Sequence, residues 1–285
     1  MGITFKKTVI VGPGLIGGAI GIAMLKRKIS TEIVGIARHC ETINKAIKKK
    51  AITSGQVCRL NAVKDADLVV LAVPVSAIKS TLKQIKYLLK KGCIVFDVGS
   101  TKKEIVDIAE KFLPQGVYFV GTHPMAGSEK KGVDYAKDDF FINSVCLITK
   151  TKKTNQRALD KVMILWQELG AATFILTPLK HDKITAQISH LTHLLSAVLV
   201  NSVTSNFLQF SGKGFLDTTR IASGNPQLWQ DILFSNKKQV LKAVAIFEKN
   251  LAKIKNFLQQ EDKKNFTRQL ARAKKTRDML CKRNL

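Results

Sequence analysis

The sequence predicts an α/β protein, with an N-terminal, doubly wound and mostly parallel sheet followed by an all-helical C-terminal domain. Up to about residue 150, short apolar runs rich in β-branched residues alternate with helical patterns, which is typical of βαβ units. After about Lys180 the periodicity is helical, and proline and glycine become rare. We therefore expect two domains, residues 1–178 and residues 179–285.

Six strands and four helices are expected in the N-terminal domain. Right-handed crossovers between parallel strands place such helices on both faces of the sheet. The expected strands are Thr8–Val11, Glu32–Ile36, Leu68–Ala72, Ile94–Asp97, Tyr118–Gly121 and Cys146–Thr149. The expected helices lie around Leu15–Lys28, Ile43–Lys50, Ser76–Lys90 and Lys103–Phe112.

The C-terminal domain is predicted from two long helical stretches, Lys183–Phe210 and Lys237–Leu280. Within the first, Ile184–Val203 is apolar almost all round, as expected for a helix buried in a bundle or in a subunit interface. The last part, Asp262–Leu280, is rich in lysine and arginine with apolar residues at helical spacing, which indicates an exposed amphipathic helix.

The chain of 285 residues carries 47 Lys and Arg against 21 Asp and Glu, a formal net charge of +26. Such an excess fits either a nucleic-acid binder or a solvated surface whose positive field attracts anionic small molecules. The lysines are scattered without a basic tail, and aromatic residues make up only 7%. We therefore expect an anionic small-molecule substrate and no nucleic-acid partner.

Cellular location is predicted from three features. No apolar run approaches the ~18–20 residues of a membrane span, and the N-terminus lacks the pattern of a signal peptide. The five cysteines are odd in number and widely spaced, which is typical of free thiols in a reducing compartment. We expect a cytoplasmic protein with no membrane partner.

The first expected strand leads into the glycine loop, Gly12-Pro13-Gly14-Leu15-Ile16-Gly17, and then into a helix. This strand, loop and helix are the context in which G-x-G-x-x-G binds a dinucleotide in a Rossmann-type domain. Gly12 allows the tight turn, Gly14 lets the backbone approach the pyrophosphate, and Gly17 lets helix and sheet pack closely. Leu15 and Ile16 begin the helix, whose N-terminus attracts the phosphates. The alternative is a glycine turn without a ligand.

The end of the second strand predicts which nicotinamide cofactor is bound. An NAD enzyme usually carries Asp or Glu there, for the ribose 2′-hydroxyl. This chain has Ala37 followed by Arg38. No carboxylate there would repel a 2′-phosphate, and the guanidinium of Arg38 could form an ion pair with it. NADP is therefore favoured, with NAD possible, since Arg38 stacked on adenine suits either cofactor. Val73 and Pro74, at the end of another strand, are expected beside the cofactor or in simple packing.

Two further strand ends are expected at the same edge of the sheet as the glycine loop. Ser100 follows one of them and His123 lies just after the other. A histidine there suits the transfer of a substrate hydroxyl proton while hydride leaves the adjacent carbon. Ser100 and Thr101 also fit a helix cap, with Thr101 and Glu104 forming a capping box.

The helical half contributes His190 and His193, which are three residues apart and so share one helix face. A zinc pair is one interpretation, but no HExxH pattern or third ligand accompanies it, so a hydrogen-bonding role is favoured and no metal is expected. Arg220 is expected in a loop rich in glycine and threonine, where its planar guanidinium suits a carboxylate.

Five ordered stretches together resemble the prephenate/arogenate dehydrogenase family of tyrosine biosynthesis. They are VGPGLIGG, DVGSTK, GTHPMAGSEKKGV, HD followed by SHLTH, and GFLDTTRIASGNPQLW. The resemblance covers roughly residues 8–235 and implies a Rossmann domain, a helical dimerisation domain and hence a homodimer. It also implies oxidative decarboxylation of prephenate or arogenate with NAD(P).

The resemblance implies roles for individual residues. His123 matches the catalytic histidine that binds the ring C4 hydroxyl, and Ser100 matches the serine beside it and the nicotinamide. His190 and Arg220 match substrate-binding residues, Arg220 holding a carboxylate, and Ser128 falls at a position expected to contact substrate. The chain departs from the family pattern at Thr192, where proline is frequent, and at Leu216, where a basic residue is common.

Two other functions remain as alternatives. A two-domain β-hydroxyacid dehydrogenase or imino-acid reductase shares the glycine loop and the helical C-terminal half, but the stretches around His123 and Arg220 disfavour it. A nucleotide-sensing or nucleic-acid-binding protein on a Rossmann fold is disfavoured by the joint presence of Ser100, His123 and Arg220. No motif separates prephenate from arogenate.

Overall fold

A computed structural model describes residues 3–127 and 130–282, and its contacts divide the chain into residues 1–236 and residues 237–285. The described part of the first unit contains one sheet with helices around it. Its strands are β1 (Phe5–Val11), β2 (Ser30–Ala37), β3 (Ser54–Val57), β4 (Leu68–Leu71), β5 (Ile94–Asp97), β6 (Tyr118–Pro124), β7 (Val145–Thr149) and β8 (Ala172–Leu176). Its helices are α1 (Leu15–Lys26), α2 (Cys40–Lys48), α3 (Val75–Ile85), α4 (Lys103–Phe112), α5 (Gln156–Glu168), α6 (Pro178–Thr185), α7 (Leu191–Asn201), α8 (Lys213–Thr219) and α9 (Pro226–Ser235).

The sheet confirms the predicted doubly wound fold. Its strands lie in the order β3-β2-β1-β4-β5-β6-β7-β8, and all neighbours are parallel except the antiparallel pair of β6 and β7. The first six strands have the order of dinucleotide-binding sheets, in which the ligand crosses the point where strand order reverses. That point lies between β1 and β4. The carboxyl ends of β1, β4, β5 and β6 therefore share one edge.

The core lies on both faces of this sheet, because alternate residues of a strand point to opposite faces. Ile10 and Phe96 pack in the layer that includes α1 and α5, whereas Val9 and Val95 pack in the layer that includes α3 and α4. Helices on both faces are thus confirmed. The largest buried side chain, Trp166, meets the Phe96 ring edge-on, with 6.0 Å between the ring centroids.

Among the described residues before residue 178, two strands and one α-helix were not predicted. The edge strand β3 has the sequence SGQV, which lacks the apolar run that marks a buried strand. The strand β8 reads ATFIL and carries the signal, but its side chains Phe174 and Ile175 are half exposed. The helix α5 has a buried apolar face and was also missed. Helix α3 ends at Ile85, before the predicted Lys90, because the chain turns where the N–H of Leu88 binds the carbonyl of Ile85.

Beyond β8 the described chain is helical. A five-residue π-helical segment, Ala186–His190, joins α6 to α7 without a break. The second unit consists of α10 (Lys237–Gln259) and α11 (Lys263–Lys282), which pack against each other. Exposed residues predominate along α11, as expected for its basic amphipathic pattern. Among the described residues no helix combines the length and the apolar character that crossing a bilayer requires.

Close packing of α1 on the chain after α2 predicts a strong effect of one methyl group. A Cβ atom at Gly21 would lie 1.9 Å from the carbonyl oxygen of Ala51, whereas a Cβ atom at Gly14 would meet nothing within 4 Å. We expect Gly21→Ala to lower the free energy of unfolding by about 1–3 kcal/mol, because the backbone must move apart. Gly14→Ala is the matched control, with a change within about 0.5 kcal/mol. Urea denaturation measures both, and equal stability of the two variants would contradict this packing.

Candidate active site

The glycine loop connects β1 to α1 at the carboxyl edge of the sheet. Gly12 has φ +91°, and a Cβ atom there would lie 2.4 Å from the carbonyl oxygen of Ala72. A Cβ atom at Gly17 would lie 2.4 Å from the carbonyl oxygen of Gly12, so α1 packs directly on the turn. The space before Gly14 is open. Leu15 and Ile16 form the first turn of α1, which has no acidic residue and no side-chain cap.

The end of β2 lies beside this loop. The N–H of Gly12 donates to the carbonyl of Ile36 at 2.9 Å, which ties the glycine turn to the residue before Ala37. Arg38 follows and is exposed. Its backbone is held from the end of β3, where the N–H of Cys58 binds the carbonyl of Ala37 at 2.9 Å. No carboxylate occupies position 37 or 38.

The ends of β4 and β5 complete the same edge. Val73 lies next to the glycine turn, since its Cγ1 atom would be 3.1 Å from a Cβ atom on Gly12. Pro74 is exposed and precedes the first residue of α3. Ser100 lies in the loop between β5 and α4 and is partly buried. Its neighbour Thr101 is buried and accepts a hydrogen bond from Ser235 at 3.0 Å.

His123 lies near the end of β6, where it pairs with Leu147 of the antiparallel strand β7. Its side chain is buried, with 8% exposure. Nδ1 of His123 lies 2.9 Å from Nε2 of His181, the fourth residue of α6. Burial lowers the pKa of His123 well below its ordinary value, and the charges of His181, Lys102 and His190 act in the same direction. The imidazole is therefore neutral at physiological pH.

The capping box expected at the start of α4 does not form. No side chain of that helix caps its N-terminus. Instead Asp182, far along the chain on α6, accepts the N–H groups of Lys102 at 2.7 Å and Lys103 at 2.9 Å. The same carboxylate lies 2.8 Å from Nδ1 of His181. Hydrogen bonds from His181 and from both backbone N–H groups lower the pKa of Asp182 against the opposing effect of burial.

A buried ion pair lies under the site. Nζ of Lys102 contacts the carboxylate of Asp97 at the end of β5, and neither side chain is exposed. Asp97 also accepts the N–H of Gly99 at 2.8 Å. Burial raises the pKa of Asp97, while Lys102 and this N–H oppose the increase. The pair satisfies a charge that burial would otherwise penalise.

Of the two ring nitrogens of His190, Nδ1 has a hydrogen-bond partner in the described structure and Nε2 has none. The amide nitrogen of Asn236 donates to the carbonyl of Asp182 at 2.8 Å and lies 3.2 Å from Nδ1 of His190. Because a carbonyl only accepts, this contact fixes the orientation of the amide, and its second hydrogen points to His190. His190 is 1% exposed, and its Nε2 atom has no hydrogen-bond partner in the described structure. The neutral ring thus offers a buried N–H for which no partner is described.

His190 and His193 do share one face, and Trp229 of α9 lies against it. The His193 ring stacks on Trp229 at 3.7 Å between centroids, and the His190 ring meets the same indole edge-on at 6.4 Å. Within the described ranges, no three His, Cys, Asp or Glu side chains cluster closely enough to hold a metal. These two contacts with Trp229 hold both imidazole rings in the helical half of the site.

Arg220 does not lie in the predicted loop. It is exposed and directly follows α8, where it begins the 3-10 segment Arg220–Ser223, which packs against α7. Ser128 lies outside the described residues. Thr192 continues α7 without a break, its hydroxyl donating to the carbonyl of Ile188 at 3.2 Å. Leu216 is 58% exposed on α8.

The structure adds Asp97, Lys102, His181 and Asp182 to the candidate residues. All four stand in the stretches that resemble the family, yet the sequence pattern gave none of them a role. The signal that was available is the charge at the end of an apolar strand, at Asp97, and the adjacent pair His181-Asp182. The sequence pattern did not show that His123 contacts His181, 58 positions away, or that Asp182 binds the N–H of Lys102, 80 positions away.

Comparison with protein families matches both parts of the chain. Residues 20–174 match the nucleotide-binding domain of prephenate dehydrogenase, and residues 177–272 match the prephenate dehydrogenase dimerization domain. The prephenate dehydrogenase of Bacillus subtilis is 36% identical over an alignment of 286 residues, which covers 96% of this chain and 76% of that protein.

Solved structures agree over nearly the whole chain. The prephenate dehydrogenase of Aquifex aeolicus, in complex with hydroxyphenyl propionate and NAD+, superposes with a TM-score of 0.92 at 31% identity, covering 98% of this chain and 100% of that chain. An arogenate dehydrogenase from Synechocystis has a TM-score of 0.84 at 27% identity, covering 96% of this chain and 100% of that one.

The buried histidines predict a loss of stability in mild acid. Burial lowers the pKa of His190 from 6.5 to about 4, and it lowers that of His123, His181 and His193 too. Between about pH 6.5 and pH 4 these histidines bind protons in the unfolded chain but not in the folded chain. Their contribution to the free energy of unfolding is therefore fully present above pH 6.5 and is lost as the pH falls.

Urea denaturation across this range tests the prediction with His190→Gln. The variant is expected to show a shallower decline in unfolding free energy than the wild type, by up to roughly 3 kcal/mol at pH 4, because one buried proton acceptor is gone. A decline of equal steepness in both proteins would show that His190 does not titrate in this way.

Proposed function

The chain belongs to the prephenate dehydrogenase family, and from this premise we propose how its own residues carry out the reaction. The enzyme is an NAD(P)-dependent oxidoreductase that oxidises ring carbon C4 of prephenate or arogenate, with loss of CO2. The product is 4-hydroxyphenylpyruvate from prephenate and tyrosine from arogenate. The single observation that carries the assignment of residues is the buried, neutral His123 at the edge of the sheet that also carries the glycine loop.

His123 is the catalytic residue in this proposal. Its neutral imidazole accepts the proton of the C4 hydroxyl as hydride leaves C4, and general bases of this kind contribute typically ~10²–10⁴-fold. Ser100, in the loop between β5 and α4, acts beside it as a contact of substrate and nicotinamide. His123 is buried, and burial disfavours its charged form, so the ring keeps its proton-accepting form.

The residues of the glycine loop fit a dinucleotide. The open space before Gly14 admits a pyrophosphate, and the uncapped N-terminus of α1 offers Leu15, Ile16 and Gly17 N–H groups to it. Val73 and Pro74 border the same edge. When bound, the nicotinamide ring supplies the acceptor for the hydride.

Substrate recognition is assigned to the helical half. The buried N–H at Nε2 of His190 suits a carbonyl or carboxylate oxygen, because it otherwise lacks a partner. Arg220 is assigned to a substrate carboxylate, which its guanidinium matches in shape and charge. Ser128 is assigned to substrate contact by its position in the sequence, in the same stretch as His123. The positive field of the chain attracts such an acid and the phosphates of the cofactor.

NADP is the cofactor that the residues at the end of β2 favour. Ala37 carries no carboxylate to repel a 2′-phosphate, and Arg38 is exposed at the position where that phosphate is expected. The structure of the Aquifex aeolicus enzyme contains NAD+, so NAD is the alternative cofactor for this chain.

A homodimer through the helical domain is supported by apolar side chains that are exposed on a single chain. Around α7 they include Ile188 at 61% exposure, Val198 at 58% and Phe210 at 79%. The match to a dimerization domain over residues 177–272 agrees with this. We retain a boundary near residue 178, which the end of β8 at Leu176 supports. The cytoplasmic location stays a prediction from the sequence.

The reaction is tested with purified protein, each of the two substrates and each of the two cofactors, by following reduced nicotinamide. We expect His123→Ala to lose turnover by ~10²-fold or more while it still binds cofactor. Arg220→Ala is expected to raise KM with a smaller change in kcat. Arg157→Ala, an exposed arginine on α5, controls for general loss of positive charge. Near-normal kinetics of both site variants would overturn the residue assignment.

Cofactor preference is tested with Arg38→Ala and Ala37→Asp. Loss of a charged hydrogen bond costs about 1.5–3 kcal/mol, so Arg38→Ala is expected to weaken kcat/KM for NADP roughly tenfold to a hundredfold while changing that for NAD little. Ala37→Asp is expected to shift preference further towards NAD by repelling the 2′-phosphate. An unchanged ratio in Arg38→Ala would remove this arginine from cofactor recognition.

A further inference from the structure

A chain of hydrogen bonds connects His123 to the start of α4. Nδ1 of His123 lies 2.9 Å from Nε2 of His181, and Nδ1 of His181 lies 2.8 Å from Oδ1 of Asp182. The two oxygens of Asp182 also accept the backbone N–H groups of Lys102 and Lys103. Both imidazoles and the carboxylate are buried, so water does not compete for these bonds.

The direction of each hydrogen bond in this chain follows from its far end. An ionised carboxylate only accepts, so Nδ1 of His181 carries a hydrogen and donates it to Asp182. In a neutral His181 the other nitrogen, Nε2, then accepts. Nδ1 of His123 must therefore donate to it, which leaves Nε2 of His123 with a free lone pair.

Asp182 is held in the ionised, accepting form by its position. It receives two N–H groups from the first turn of α4, where the helix dipole also favours a negative charge. These contacts and the bond from His181 lower the pKa of Asp182. A protonated Asp182, which would be a donor, is thereby disfavoured.

We propose that His181 and Asp182 are positioning residues that hold His123 in the tautomer with a free Nε2 and stabilise the imidazolium formed when it accepts a proton. The proposal rests on the proposed function of His123. It assigns to a buried histidine and aspartate a part in the reaction that neither the sequence pattern nor the comparisons gave them.

The proton balance of the reaction gives this arrangement a purpose. As the C4 hydroxyl gives its proton to His123, the hydrogen on C4 leaves with the electron pair of the C–H bond, as a hydride that the nicotinamide accepts. Carbon C4 of the substrate thereby becomes a ring ketone. The bond to the ring carboxylate then breaks, CO2 departs, and its electron pair makes the ring aromatic with a phenolate oxygen. That oxygen takes back the proton from His123. The imidazolium exists between these steps, and the carboxylate of Asp182 opposes its charge through His181.

Other charged and titratable groups near His123 also affect how readily its ring becomes positively charged. The buried ammonium of Lys102 and the ring of His190 both disfavour a positive His123. Asp97 neutralises Lys102 by direct contact. Asp182 is the carboxylate joined to His123 through hydrogen bonds, so its charge is the one available to stabilise the imidazolium.

Two variants of His181 separate positioning from packing. In His181→Gln the side-chain carbonyl still accepts from Nδ1 of His123, and the amide still donates to Asp182, so the tautomer is kept. His181→Leu fills similar space without either bond. We expect kcat to fall about tenfold or less in the Gln variant and ~10²-fold or more in the Leu variant, in line with the weight of general base catalysis. Binding of cofactor stays near that of the wild type in both.

Asp182→Asn tests the charge, with Asp67→Asn as its matched control. Asp67 also accepts two successive backbone N–H groups, from Lys6 at 2.9 Å and Lys7 at 3.1 Å, but precedes β4 at the opposite edge of the sheet. Asp182→Asn is expected to lower kcat by roughly 10³–10⁴-fold, as expected when the base takes the wrong tautomer. Asp67→Asn is expected to affect stability and leave kcat unchanged.

Nitrogen-15 NMR of the imidazoles reads the tautomer directly and needs neither substrate nor turnover. The chain has five histidines, so the signals of His123 and His181 are assigned by loss in the respective variants or by elimination. We expect both rings to be protonated at Nδ1 and unprotonated at Nε2. A wild-type His123 protonated at Nε2 would overturn the proposal, whatever the kinetics.

The remaining outcomes separate the two proposals. If the wild type oxidises neither prephenate nor arogenate, the proposed function fails while the tautomer is still measured. If the wild type turns over and the Gln and Leu variants of His181 are equally active or equally impaired, the positioning role is wrong and packing explains the contact. Graded loss from Gln to Leu, together with the Nδ1-protonated ring, supports it.

Discussion

The carboxylate of Asp182 lies at the N-terminus of α4, and this contact sets the geometry of the site. Two backbone N–H groups that would otherwise lack a partner are satisfied by a residue from α6. Because the carboxylate needs the donors and the helix needs the acceptor, the contact fixes the loop that carries Ser100 relative to the helix that carries His181. Asn236 extends the same arrangement to His190 through the carbonyl of Asp182. The carboxyl edge of the sheet and the first helices after it are thereby fixed together.

Burial decides the charge state of this site. Lys102, Asp97 and Asp182 are ionisable groups whose charges are held by direct contacts with one another or with backbone N–H groups. The imidazoles of His123, His181 and His190 lose more from desolvation than they gain from these carboxylates, so their pKa values fall. Neutral imidazoles beside fixed carboxylates are the state in which a proton moves over a short distance without water. The same burial is the reason why we expect the stability of the fold to fall in mild acid.

Much of the fold was predictable, because the signals that define it are local. The alternation of apolar runs and helical patterns predicted the sheet, its parallel strands and the helices on both faces. The edge strand β3 was missed because four residues of mixed polarity, SGQV, pair by backbone alone. The strand β8 and the helix α5 carried local signals and were missed all the same. The helical half was predicted as a class, whereas the π-helical segment before α7 had no sequence signal.

Local sequence patterns predict which residues lie at the ends of strands and therefore which side chains reach the carboxyl edge of the sheet. That information is periodic and local, and it was sufficient for the glycine loop, Ser100 and His123. The contacts of those side chains follow from the three-dimensional packing of the chain. His123 meets a histidine 58 residues away, and α4 is capped from 80 residues away in place of the local box of Thr101 and Glu104. A buried donor or acceptor takes the partner that packing brings to it, and packing between distant parts of the chain is not encoded in any local pattern.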